Sequence, residues 1–117
     1  MILDETSEFV GSEIDIEINP RQIYIRDGDR LNTSCHTNDP HRYGTEWYRR
    51  LPNGQEVIIV TGALLLIPSV SQSQLQNSEI FCRAREHYTD QIVGEPEQLN
   101  LIWESGRSMH HIYFAFL

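Results

Sequence analysis

Residues 77–86 read "NSEIFCRARE". Apolar and charged residues alternate, with Ile80, Cys82 and Ala84 on one side and Phe81, Arg83 and Arg85 on the other, which is the two-residue period of a strand. Cys82 falls on the side without charges, and the chain has only one other cysteine, Cys35. A catalytic thiol, a metal ligand and half of a disulfide would each need different company elsewhere in the chain.

Upstream, "LNTSCHT" (31–37) places Leu31, Thr33, Cys35 and Thr37 on one face and Asn32, Ser34 and His36 on the other. Earlier still, "EIDIEIN" (13–19) alternates Ile14, Ile16 and Ile18 against acids until Pro20 interrupts it. "QIYI" (22–25) resumes the pattern, and "RDGD" (26–29) turns at Gly28, where a positive φ carries no steric cost. After a loop "NDPHRYG" (38–44) comes "TEWYRR" (45–50), then Asn53-Gly54, a strong hairpin signal that pairs this segment with "EVIIV" (56–60). "ALLLIPSV" (63–70) follows too closely for extra edge strands, and "SQSQLQNS" (71–78) reads as a polar turn. Beyond the opening stretch, "HYTDQIVGEPEQ" (87–98) reads as the last turn and "LNLIW" (99–103) as a final strand with Leu99, Leu101 and Trp103 inward. About eight short strands separated by turns every 8 to 12 residues, and no substantial helix, predict an all-β sandwich or barrel.

Composition narrows the function classes. With 117 residues the chain is about one domain. Nine arginines, no lysine and 17 acids give a net charge of -8, which opposes attraction to nucleic acid or anionic lipid. Six of the acids precede the first arginine, Arg21, so the acidity concentrates in the N-terminal part and the remainder is nearly balanced. Residues 1–13 are therefore expected to be a disordered acidic leader, 14–104 the domain and 105–117 a flexible tail. "MILDETSEFVGSE" lacks the basic start and apolar stretch of a secretory signal. No apolar run approaches the roughly 20 residues that a membrane helix needs.

At this point the spacing resembles a known family. Cys35, Trp47 twelve positions on and Cys82 a further 35 on match the Cys, Trp, Cys pattern of the immunoglobulin superfamily. Gly28 stands seven before Cys35 with Ile23 and Ile25 upstream. "WYRR", "LLIPSV" and Cys82 with Ala84 resemble further motifs of its I-set, over residues 14 to 103. The family's "D-x-G-x-Y-x-C" is replaced by "Q-N-S-E-I-F-C" (76–82). Ile80 in place of the tyrosine removes a hydrogen bond to the corner backbone, a loss of about 1 kcal/mol.

The resemblance implies an immunoglobulin-like sandwich of seven or eight antiparallel strands with one inter-sheet disulfide, Cys35–Cys82. Trp47 would pack against the bridge, and Leu31, Leu65, Ile67, Val70 and Leu101 would complete the core. A disulfide belongs to an oxidising compartment. The expectation is thus an extracellular protein, this chain being a fragment or isoform without its signal peptide. Widely separated single cysteines lack the C-x-x-C spacing of zinc or redox sites.

No nucleophile elbow, phosphate loop or supported carboxylate pair is present, so an enzyme is not expected, and no cofactor either. His36, His41 and the adjacent His110 and His111 read as solvated, and Asp27 and Asp29 as an acidic turn. No metal site is expected. Asn32-Thr33-Ser34 is an N-glycosylation acceptor sequence whose asparagine points outward.

Two surface features remain. Arg50, Arg83 and Arg85 face outward with Tyr48 and Phe81 between them, either as a binding patch for an acidic protein or sulfated glycosaminoglycan, or paired with Glu46, Glu79 and Glu86. On the opposite sheet, Leu64 and Leu66 run out of phase with Leu65 and Ile67. They are either exposed and covered by a neighbouring domain, a dimer partner or the tail "IYFAFL", or buried by a shift in register. By resemblance the chain is a non-catalytic module for protein recognition or cell and matrix adhesion. The alternative is a structural spacer among neighbouring immunoglobulin domains, as in perlecan-type matrix proteoglycans.

Overall fold

A computed structural model describes residues 14–75 and 77–104. The expected leader, the expected tail with His110 and His111, and Gln76 lie outside the described residues.

The strands are β1 (Ile16–Asn19), β2 (Gln22–Ile25), β3 (Leu31–Thr37), β4 (Tyr43–Arg50), β5 (Glu56–Thr61), β6 (Leu64–Ile67), β7 (Glu79–Glu86) and β8 (Ile92–Trp103), with one helical turn, α1 (Gln72–Leu75). They form a three-stranded sheet in the order β1-β3-β6 and a five-stranded sheet in the order β2-β8-β7-β4-β5. The two layers are closed by a Cys35–Cys82 disulfide, and the fold is an immunoglobulin-like β-sandwich. Both sulfurs and the Trp47 indole are removed from solvent, together with Leu31, Leu65, Ile25 and Ile80. Val70 is also buried, while Ile67, Leu101 and Trp103 pack against this core from its rim.

Local chemistry explains the elements. Pro20 ends β1 and lets the chain cross to the other sheet. The Thr33 hydroxyl, buried behind the crossing, donates to the Pro20 carbonyl at 2.7 Å. Gly28 and Gly54 both adopt φ +90°, where a side chain would be strained. Residues 51–55 connect β4 to β5, and the Leu51 N–H on the Gln55 carbonyl at 2.8 Å closes a three-residue tip with Gly54 in its left-handed position. The side-chain carboxylates of Asp27 and Asp29 accept from the backbone N–H groups of Gln72 and Arg26, each at 2.8 Å.

Four expectations need correcting. The strands are not all antiparallel: β2 runs parallel to β8, because the chain keeps its direction when it changes sheet at Pro20. The polar segment 71–78 is more than a turn, since Asp27 holds the first amide of α1 and Leu75 turns into the core. Residues 92–98 belong to β8. The true turn is 87–91, where Asp90 adopts φ +61° and the Glu86 and Gln91 backbones bond across it. Its polar residues hid the strand, whose two extra residues bulge between the Ala84–Val93 and Cys82–Glu97 pairs. Finally, Tyr43 and Gly44 open β4 instead of closing a loop, and Tyr43 is buried.

Candidate binding face on the five-stranded sheet

The outward face of β4 and β7 is built from one sequence pattern used twice. Tyr48-Arg49-Arg50 and Phe81-Cys82-Arg83 each place an arginine two residues after an aromatic ring, hence on the same face. The antiparallel register sets Tyr48 directly opposite Phe81. Diagonal neighbours across such a pair are within reach of long side chains. Each arginine therefore reaches over the other strand's ring.

The result is a four-layer stack. The Arg83 guanidinium lies 4.3 Å from the centre of the Tyr48 ring. Tyr48 stacks on Phe81 at 5.3 Å and 14° between planes. Arg50 closes the other end, 4.6 Å above Phe81. Both rings are consequently buried although they sit on the outer face, so the expected display of Tyr48 and Phe81 on the surface is corrected: the arginine stems cover them.

The charges are matched within the stack. Glu46, on β4 opposite Arg83, is buried and accepts from Arg83 Nε at 2.7 Å and from Arg85 Nη2 at 2.9 Å. Glu56 of β5 accepts from Arg83 Nη1 at 3.0 Å and lies 3.6 Å from Arg50, while Glu79 lies 3.7 Å from Arg50. Arg85 Nη1 also donates to the Asp90 carbonyl at 2.7 Å. Glu86 pairs with Arg42 instead, at 3.1 Å. Three arginines thus meet three glutamates, a neutral set at whose rim the exposed Asp90 carboxylate also lies 3.8 Å from Arg85.

Burial pushes the Glu46 carboxyl upward, but hydrogen bonds from Arg85 and Arg83, with their positive charges, overcome this and leave it below its ordinary value. Glu86 is also lowered, first by the Thr89 hydroxyl and then by Arg42. Both groups bind a proton more readily in the unfolded chain. Their contribution is present above the unfolded value of about 4.3 and is lost as pH falls through the folded values. Urea midpoints are therefore expected to hold level between about pH 7 and 5 and to drop below about pH 4.3. Glu46→Gln should cost about 2 kcal/mol at neutral pH, less than a fully buried pair because Arg85 keeps some solvent, and should flatten the acid decline. An acid slope identical to that of the wild type would show that Glu46 is not the titrating group.

Around this neutral centre the same face carries exposed apolar residues. Ile58 of β5 pairs with Tyr48 across the ladder, and Ile92 of β8 pairs with Arg85. They are 45% and 49% exposed. Sequence reasoning missed both. "EVIIV" has no alternation to show which isoleucine faces out, and a shift in register between Trp47 and Tyr48 decides it. Ile92 was hidden within the supposed last turn.

No family model and no curated protein matches the chain. Its own geometry must carry the functional reading.

A groove of about 640 Å³ lies between the start of β1 and the first half of β8. Asp15, Glu86, Glu95 and Glu97 line it with Arg42, and among the described residues none of its walls is a serine, cysteine or histidine. No helix among the described residues is long and apolar enough to cross a membrane.

Proposed function

We propose that the chain is an extracellular, non-catalytic recognition module of the immunoglobulin superfamily, and that it binds a protein partner through the outer face of β4, β5 and β7. The observation that carries this reading is the stack of Arg83, Tyr48, Phe81 and Arg50, locked by Glu46 and flanked by exposed Ile58. Arginine and aromatic residues are the types enriched where binding energy concentrates, and side chains already fixed lose little freedom on association. An apolar residue beside a rigid charged platform matches the mixed character of protein interfaces. The disulfide supports an oxidising compartment.

A sulfated glycan suits the face poorly, because each arginine of the stack already has a carboxylate partner. The test is a bivalent form of the chain, presented to a panel of receptor ectodomains that includes a second copy of itself. Binding to a protein on that panel is expected. Ile58→Glu should weaken it more than tenfold, while Leu66→Ser on the opposite sheet leaves it unchanged. The wild type should pass through heparin unretained at physiological ionic strength. If no ectodomain binds, or if Leu66→Ser abolishes binding and Ile58→Glu does not, the spacer reading replaces this one. Retention on heparin would restore the glycan.

A further inference from the structure

The recognition reading leaves the outer face of the three-stranded sheet unused, and that face has its own unsolved exposure. β6 is an edge strand on which Leu65 is buried, whereas Leu64 and Leu66 are 51% and 42% exposed. Two apolar side chains on a free edge invite pairing with another chain unless something covers them. The ladder identifies what lies nearest. Leu66 is directly opposite Asn32, and Leu64 is directly opposite Ser34. Directly opposed residues stand about 5 Å apart at Cβ and diagonal ones about 7–8 Å, so Asn32 is within one sugar ring of both leucines.

Asn32 is exposed, and its carboxamide has no hydrogen-bond partner among the described residues. Thr33 is tied inward by its bond to the Pro20 carbonyl, which fixes Asn32 outward. Residues 32–34 read Asn-Thr-Ser, an acceptor for N-linked glycosylation.

We infer that Asn32 carries an N-linked glycan whose first sugars lie over Leu66 and Leu64, so that the edge is covered by the chain's own carbohydrate and not by a second protein. In the transfer step Asn32 Nδ2 forms a bond to the anomeric carbon of a lipid-pyrophosphate-linked oligosaccharide. The bond from that carbon to the pyrophosphate oxygen breaks, the lipid pyrophosphate leaves with the electron pair, and the amide nitrogen gives up one proton. Pyranose rings present C–H faces that suit aliphatic side chains, and the outer hydroxyls keep the edge wet. The inference rests on the extracellular placement proposed above, because this transfer takes place in the secretory lumen.

The test expresses the full chain behind an added secretion signal in mammalian cells, as wild type, Asn32→Gln and Ser34→Ala. An endoglycosidase-sensitive mobility shift is expected for the wild type alone. Secreted Asn32→Gln should bind an apolar dye several-fold more strongly, and Leu64→Ser with Leu66→Ser in that background should return it to the wild-type level. Should Asn32→Gln fail to be secreted, enzymatic removal of the glycan from folded wild type provides the same comparison. Secreted, oxidised wild type without the shift would overturn the glycan while leaving the extracellular placement standing. Wild type retained in the cell with both thiols free would bring down that placement itself. A glycan whose loss changes neither dye binding nor elution volume would overturn the covering of the leucines. An unglycosylated dimer dissolved by the two serine substitutions would instead show that a second copy covers the edge.

Discussion

Replacing Cys35 and Cys82 together by alanine is expected to lower stability by about 4 kcal/mol. The two residues are 47 apart in sequence and tie β3 of one sheet to β7 of the other. Cutting the link frees a loop of that length in the unfolded chain, and the chain-entropy relation sets the figure. A domain of this size holds roughly 5–15 kcal/mol in all, so the variant should sit near the edge of folding at 37 °C. The fall in unfolding free energy from urea titrations measures the effect, taken with each variant's own slope, which should steepen as the unlinked unfolded chain exposes more surface. Reduction of the wild type under native conditions should reproduce most of it. A change below about 1 kcal/mol would mean that packing alone holds the layers together.

Trp47→Ala should cost about 3–5 kcal/mol, as large aromatic truncations in a closed core do. The indole is wholly buried against the bridge, and its Nε1–H donates to the Ala63 carbonyl at 2.9 Å. Trp47→Phe separates the two contributions. It keeps most of the volume and loses the donor, and the Ala63 oxygen still accepts the Cys35 N–H at 2.9 Å. Beyond the smaller ring, that loss should amount to about 1 kcal/mol. Calorimetric midpoints for the two variants would show the ordering. If phenylalanine costs as much as alanine, then the hydrogen bond and not the ring is what Trp47 contributes.

What could be read from the chain, and what could not, divides along physical lines. Strands whose two faces meet different environments announced themselves. "LNTSCHT" alternates, and Leu31, Thr33 and Cys35 are indeed inward. "ALLLI" showed two leucines out of phase, and both are exposed. The pairing of β4 with β5 followed from Asn53-Gly54. Where the pattern is broken by a bulge it misled: β8 gains two residues between Val93 and Glu97, and the polar run there looked like a turn. Parallel pairing of β2 with β8 leaves no local mark, because it depends on where the chain crosses between sheets. Both outcomes considered for the arginines were visible, but only the register shows Glu46 and Glu56 shared between them. The repeated ring-x-arginine spacing in "YRR" and "FCR" could have revealed the stack, since two such strands in antiparallel register must interleave.

The carbonyl of Ala63 holds a further consequence for how the gene can vary. It accepts from the Cys35 backbone on one layer and from the Trp47 indole on the other, while the Gly62 N–H donates to the Thr45 carbonyl at 2.8 Å. The passage from β5 to β6 is therefore measured to the residue, and added length there would pull both ties out of place. Length can grow instead at residues 52–54, which close on themselves, or at the exposed Tyr88, between His87, held by the Arg42 carbonyl, and Asp90, held by Arg85. Those two tips, not the crossing, are where a peptide tag could be grafted without disturbing the interior.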